Sequence, residues 1–265
     1  MTKGILIDLN KCIGCRGCQA ACKQWHDLPA ERTYNFGSYQ NPPDLSAKTW
    51  TVVRFDELGA NGDFKWVFTK RQCMHCEHPA CVAACTVGAL TKTETGPVIT
   101  DKAKCIGCRY CQYACPFGVP SFQWDETMGV IGKCTMCIDR IEEGHQPACA
   151  NTCPTGAILF GNRDELLTEA KARIAASPED YVDHVYGEKE VGGTSVLYLS
   201  PVPFNQIGLP ELGEEPVAHL AETIVGQTPA IAIGVAAVAS GLYFIMKRRE
   251  RGLAKVRVKT EEAEQ

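Results

Sequence analysis

Apolar positions along this chain come in short runs, with one long exception near the C-terminus. Gly4–Asp8, Pro97–Asp101 and Ala157–Phe160 each read as a short strand. Thr49–Phe55 and Phe64–Thr69 alternate apolar and polar residues and are joined by Gly59-Ala60-Asn61-Gly62, which predicts a β-hairpin within an insertion over 26–69. Asn162 reads as the N-cap of a polar helix over Arg163–Ala176 that Pro178 closes, and Ser195–Leu199 predicts a further strand. The pattern changes after Glu222. Residues 223–246 carry no charge, and Pro229–Met246 are apolar or small throughout, enough to span about 30 Å of hydrocarbon. A buried core helix can look the same, but this stretch follows a complete domain and precedes a basic segment, so a membrane-spanning helix is expected. Ala230, Gly234, Ala237 and Gly241 would let another helix approach closely. A partner in the membrane is implied, with membrane lipid around both.

Composition adds one anomaly. The net charge of −4 among 265 residues points to neither nucleic acid nor an acidic substrate, but sixteen cysteines far exceed what an ordinary enzyme carries. They fall into four groups of four. Cys12, Cys15, Cys18 and Cys22 (CIGCRGCQAAC) are repeated almost residue for residue by Cys105, Cys108, Cys111 and Cys115 (CIGCRYCQYAC). The second group is Cys73, Cys76, Cys81, Cys85 and the fourth is Cys134, Cys137, Cys149, Cys153; each ends on a similar run, CTVGAL and CPTGAI. None is left over.

Spacing decides what such groups hold. Zinc sites use isolated C-x2-C pairs rather than C-x2-C-x2-C triples, and cysteines two apart in a tight loop close disulfides poorly. A loop that turns back every three residues instead offers three thiolates from one side, as a cubane [4Fe–4S] cluster requires. Gly14, Gly17 and Gly107 let backbone approach the cluster closely. In two-cluster ferredoxins the last cysteine of each run binds the other cluster. That exchange assigns Cys12, Cys15, Cys18 and Cys153 to cluster 1, and Cys22, Cys134, Cys137 and Cys149 to cluster 2. Cys73, Cys76, Cys81 and Cys115 form cluster 3, and Cys85, Cys105, Cys108 and Cys111 form cluster 4. His75 and His78 lie inside the second group, but with four cysteines already there they are assigned packing roles. Trp25, Trp50, Trp66 and Trp124 are read as packing around clusters rather than as electron conduits.

The expected fold is therefore α+β: two nested ferredoxin-like (dicluster) units within residues 1–200, plus one C-terminal transmembrane helix over 223–246. Unit one is formed by 1–25 and 125–165, unit two by 70–122, with 201–222 as linker and 247–265 as a basic then acidic tail. No nucleophile–base arrangement, Gly-rich nucleotide loop or open metal site is visible, so no catalytic residue and no small-molecule substrate are assigned.

Charge sets an expected orientation. Lys247, Arg248, Arg249, Arg251, Lys255, Arg257 and Lys259 follow the span, while Glu211, Glu214, Glu215 and Glu222 precede it. The positive-inside rule places the C-terminus in the cytoplasm and the cluster domain on the outer, periplasmic face. The N-terminus shows no secretory signal, so export with a partner bearing a twin-arginine signal is expected.

These residues resemble the iron–sulfur (β) subunit of membrane-bound formate dehydrogenases. The resemblance rests on the four motifs in order, on CIGCRGCQAACKQWHDLP at 12–29, on GGTSVLYL at 192–199 and on the single C-terminal span. The motif order is shared with electron-transfer subunits of other molybdopterin oxidoreductases, and an uptake hydrogenase subunit is the alternative. The resemblance implies a relay of electrons through four clusters, from a molybdenum- or tungsten-pterin catalytic subunit to a membrane cytochrome b and quinone. One departure is visible: Thr86 stands where proline often follows a motif's last cysteine, while Pro116 and Pro154 are retained. This substitution is expected to loosen that turn without removing a ligand.

Overall fold

The structure, a computed structural model, describes residues 2–59 and 64–263, with side chains except at 220–225 and 252–263. The chain divides into two compact units, Met1–Ala218 and His219–Gln265. The first opens with strand β1 (Lys3–Asp8), helix α1 (Gly17–Trp25) and the strands β2 (Val52–Leu58) and β3 (Lys65–Arg71). Helix α2 (Ala80–Ala83), strands β4 (Leu90–Lys92) and β5 (Val98–Thr100) and helix α3 (Tyr110–Ala114) follow. Then come β6 (Ser121–Phe122), β7 (Ile131–Gly132), α4 (Ile138–Glu142), α5 (Ala148–Asn151), β8 (Ile158–Asn162), α6 (Arg163–Ala176) and β9 (Val196–Leu199).

The largest sheet has the order β8-β1-β9, with β1 antiparallel to β8 and parallel to β9. A strand paired on both edges and covered on both faces reads as an unbroken apolar run, and Ile5, Leu6 and Ile7 are all buried. Successive side chains point to opposite faces. Ile5 and Ile7 enter a core shared with Cys18, Cys22, Cys134 and Cys149, while Leu6 packs with Leu166, Ala170 and Ile174 of α6. Buried Asp8 closes this strand against α6 by pairing with Arg173 at 2.8 Å and accepting from the Tyr181 hydroxyl at 3.0 Å.

Helix α6 matches the predicted range, and Asn162 has the extended backbone of an N-cap. Its side chain does not cap, however. Its Oδ1 accepts from Lys3 Nζ at 3.0 Å and its Nδ2 donates to Glu165 at 2.9 Å, so it ties β1 to α6 instead. The predicted hairpin is present as β2 and β3, with Phe55 opposite Phe68. Strand β2 starts later than expected because Ser46 and Thr49 exchange backbone hydrogen bonds at 3.0 and 3.2 Å, which holds the preceding residues in a turn. The connecting turn, Gly59–Gly62, lies mostly outside the described residues.

The second unit contains nearly all of helix α7 (Val217–Ala263), which starts before the predicted span and continues through the basic segment. Lysine, arginine and glutamate are good helix formers, so loss of apolar character does not end it. Within α7, Gly226–Arg251 is 26 residues long and apolar enough to cross a membrane, about 39 Å at 1.5 Å per residue.

Candidate metal centres

All four C-x-x-C loops reverse the chain in one way. The residue before the second cysteine has a left-handed backbone each time: Gly14 and Gly107 at φ 68°, His75 at 49° and Met136 at 57°. Glycine is free to do this; histidine and methionine must be held there by their surroundings. His75 is: its ring is fully buried, its Nδ1 accepts from Val98 N at 2.9 Å, and its carbonyl accepts from Ser195 N at 3.1 Å. Backbone bonds from Val196 N to Met74 O (3.1 Å) and Glu77 N to Gly193 O (2.9 Å) complete the clamp. The GGTSVLYL run thus anchors the second cysteine loop to the central sheet.

A second repeated device follows the last cysteine of three groups. Gly88, Gly118 and Gly156 each have φ 64°, and each donates its N–H back to the carbonyl of Cys85, Cys115 or Cys153, at 3.1 to 3.4 Å. The turn after Cys85 closes as the other two do, so Thr86 does not change its geometry. Burial alone would raise the Cys85 and Cys153 thiols. The backbone N–H groups of Val87 to Leu90, and of Thr155, Ala157 and Ile158 with the Thr155 hydroxyl, outweigh it and hold both below the ordinary cysteine range. Cys22 lies instead within α1, and the Thr51 hydroxyl is its hydrogen-bond partner.

Cys12, Cys15, Cys18 and Cys153 line one cavity, whose other walls include Ile7, Ile13, Val53, Ile158 and Lys70. Cys85, Cys105, Cys108 and Cys111 line another, with Val87, Leu90, Ile106 and Ile131. Cys76 lies within electrostatic reach of Cys73, Cys81 and Cys115, and Cys137 of Cys149 and Cys22, while Cys134 reaches Cys22 and Cys149. A tetrahedral zinc with Zn–S bonds near 2.3 Å would draw its thiolates to about 3.8 Å from one another. Among the described residues no three His, Cys, Asp or Glu side chains converge closely enough for a single ion. The two quartets that each line an apolar-walled cavity, yet stand too far apart for one ion, fit a polynuclear iron–sulfur group, whose thiolate ligands attach at separate irons.

Burial pushes the Cys18, Cys81 and Cys137 thiols up to about 12 and Cys111 up to about 11. Without a cation these groups keep their protons, so metal insertion releases them. The quartets also meet in series: Cys18 is within electrostatic reach of Cys149, Cys134 of Cys73, and Cys81 of Cys111. Cys15 and Cys108, at the two ends of that series, are the exposed cysteines.

Several neighbours of the cysteines were not marked by the sequence. The Arg16 guanidinium lies 4.8 Å over the Phe55 ring and Arg109 lies 4.8 Å over Trp124, so each CIGCR loop is covered by an aromatic from an adjoining hairpin. His26 Nε2 is 3.3 Å from Cys137 Sγ, and its ring lies 4.8 Å from that of Trp50. Lys70 and Lys133 are buried beside the quartets. Of the tryptophans only Trp50 is buried, donating to Ala47 O at 2.8 Å; Trp25 packs under Arg140, and His78 lies beside Gly192.

Residues 64–163 match a family described as 4Fe-4S dicluster domain, and residues 11–89 match a second family of the same description. All sixteen cysteines fall within these stretches. The chain is 45% identical over 197 residues to the iron–sulfur subunit of nitrate-inducible formate dehydrogenase from Escherichia coli, covering 73% of this chain and 66% of that one. It is 38% identical over 253 residues to the formate dehydrogenase iron–sulfur subunit of Haemophilus influenzae, covering 91% and 79%. The hydrogenase-2 operon protein HybA of Escherichia coli O157:H7 is 34% identical over 279 residues, covering 94% and 85%. By its cysteine framework and by relatives of this similarity, the chain belongs to the family of formate dehydrogenase iron–sulfur subunits.

Proposed function

We propose that this chain relays electrons through four [4Fe–4S] clusters, from a molybdenum- or tungsten-pterin formate dehydrogenase subunit to a membrane cytochrome b and quinone. The observation that carries the reading is the serial arrangement of the quartets in the order 1-2-3-4, with its buried middle and its exposed ends at Cys15 and Cys108. When bound, each cluster supplies a one-electron redox centre. The protein's part is to fix the spacing through the loops, to exclude water with Ile7, Val53, Leu90 and Ile131, and to direct N–H groups at the sulfurs. The pairing of β1 with β8 supports two nested dicluster units, the first assembled from both sides of the second. The apolar stretch of α7 supports a membrane anchor. A Cβ at Gly234 or Gly241 would meet nothing within 4 Å, which leaves room for a partner helix.

Two measurements test this reading. The purified chain is expected to hold about sixteen iron and sixteen acid-labile sulfide, from four Cys₄ sites. Full occupancy by zinc with little iron overturns it. Cys22→Ser should damage the cluster held by Cys134, Cys137 and Cys149 and spare the one held by Cys12, Cys15 and Cys18. Site-resolved spectroscopy that finds only the latter damaged would show that Cys22 is not exchanged.

The HybA relative favours a second reading, the equivalent subunit of a hydrogenase complex. The catalytic subunit that co-purifies separates the two: clusters reduced by formate support the first, and clusters reduced by hydrogen alone support the second.

A further inference from the structure

Among the described residues, five acidic or basic side chains (counting histidine) are buried: Asp8, Lys70, His75, Lys133 and Glu190. Asp8 has Arg173, Glu190 has His184 at 2.6 Å, and the His75 ring is neutral with Nδ1 accepting from Val98. The two lysines differ. Lys70 and Lys133 are 1% and 2% exposed, and neither is in an ion pair among the described residues. Lys70 Nζ donates to the Gln72 side chain; Lys133 Nζ donates to the carbonyls of Val98 and, at 2.9 Å, Cys134. A buried ammonium without counter-charge is strongly disfavoured, so something anionic must face each.

What faces them is cysteine. Lys70 shares a cavity wall with all four ligands of cluster 1 and lies within electrostatic reach of Cys22, Cys134 and Cys149 of cluster 2. Lys133 lies within reach of Cys81 of cluster 3, and its Nζ is bonded to the backbone of a cluster 2 ligand. A Cys₄-ligated [4Fe–4S] cluster is a dianion that becomes a trianion on reduction. A fixed cation beside it favours the reduced form, since net charge around the cluster is among the determinants of its potential.

We propose that Lys70 and Lys133 are the buried counter-charges of the cluster chain, Lys70 between clusters 1 and 2 and Lys133 against cluster 3, and that they raise those clusters' potentials. The inference rests on the four-cluster reading. It makes the two lysines positioning charges, set where neighbouring clusters would otherwise repel each other's electrons.

The test is an EPR-monitored redox titration of the purified, cluster-loaded full chain. Lys70→Gln should move two of the four reduction steps to lower potential. Each should show at least a tenfold fall in the reduced-to-oxidised ratio at fixed potential, about 59 mV for one electron. Lys133→Gln should move a third step likewise, and the double variant should leave one step, that of cluster 4, in place. Lys70→Arg and Lys133→Arg should keep the wild-type values. Steps that do not move, that rise, or that all fall equally overturn the inference. Should the glutamine variants fail to retain iron, the arginine variants decide: full iron and sulfide in them supports the charge, and loss there too makes the lysines packing residues and overturns it. A wild-type chain without four reduction steps refutes the four-cluster reading and the inference together; four steps indifferent to both substitutions refute the inference alone.

Discussion

Chelating the iron from the cluster-loaded chain is expected to unfold the Met1–Ala218 unit, not to leave an empty scaffold. Cysteines are structural members of its core: Cys18, Cys22, Cys73, Cys134 and Cys149 pack with Ile5, Val53 and Tyr198, and Cys81 and Cys111 pack with Leu90 and Ile131. The regular structure around them is slight, with β4–β5 and β6–β7 pairs of three and two residues per strand. Isolated two-stranded ribbons of that size do not hold themselves together in water. Removing the clusters also strips Lys70 and Lys133 of their anionic neighbours, and an uncompensated buried ion costs several kcal/mol. Against a total stability of about 5–15 kcal/mol for a domain, two such ions and the loss of the bonds that tie the cysteine loops together exceed what the β8-β1-β9 sheet and α6 can offset. Anaerobic chelation should therefore abolish near-ultraviolet circular dichroism and open the chain to protease throughout 1–218, and reconstitution with iron and sulfide should reverse both. An apo chain that keeps its dichroism and its protease resistance would show that the cysteine loops fold without their metal.

The same arrangement explains which features could be read in advance. The quartets were legible because cysteine spacing within a loop is a local property, and so were β1, β8 and α6, whose apolar runs and stop at Pro178 are local too. Lys70 was not. The predicted strand stops at Thr69, and a lysine just past a strand end reads as solvated; β3 instead runs on to Arg71, and its face bearing Phe68 and Lys70 lies against the first cysteine loop, where a Cβ at Gly14 would meet Phe68. The four-fold repeat of left-handed loop residues was half hidden, because His75 and Met136 stand where glycine stands in the other two groups. Backbone hydrogen bonds hold the His75 loop in place, and backbone bonds leave no pattern of residue types. The very short strands β4, β6 and β7 carry too few residues for periodicity to show.

Helix α7 should leave the protein with its C-terminus in the cytoplasm and the cluster domain on the outer face of the membrane. Among the described residues, Gly226–Arg251 of the helix is long and apolar enough to cross a membrane, with Ile231, Ile233, Val235, Val238, Leu242, Phe244 and Ile245 exposed along it. At its basic end Lys247 donates to the Tyr243 hydroxyl at 3.0 Å and lies over that ring, the arrangement in which a long cationic side chain covers apolar surface while its head stays wet. Beyond it run seven basic residues from Lys247 to Lys259 with only Glu250 among them, whereas the segment before the span is acidic. Basic residues beside an anionic cytoplasmic leaflet contribute about 1 kcal/mol each, and charge bias of this kind fixes orientation for short flanking segments. A reporter active only in the cytoplasm, fused to the C-terminus, should be active, and protease added to the outer face should reach the cluster domain. Deleting 228–265 should release a soluble, cluster-loaded domain that still reduces dyes but no longer delivers electrons to quinone. Digestion of the cluster domain from the cytoplasmic side alone, with protection outside, would reverse the orientation and remove the need for export with a partner, while leaving the electron relay intact.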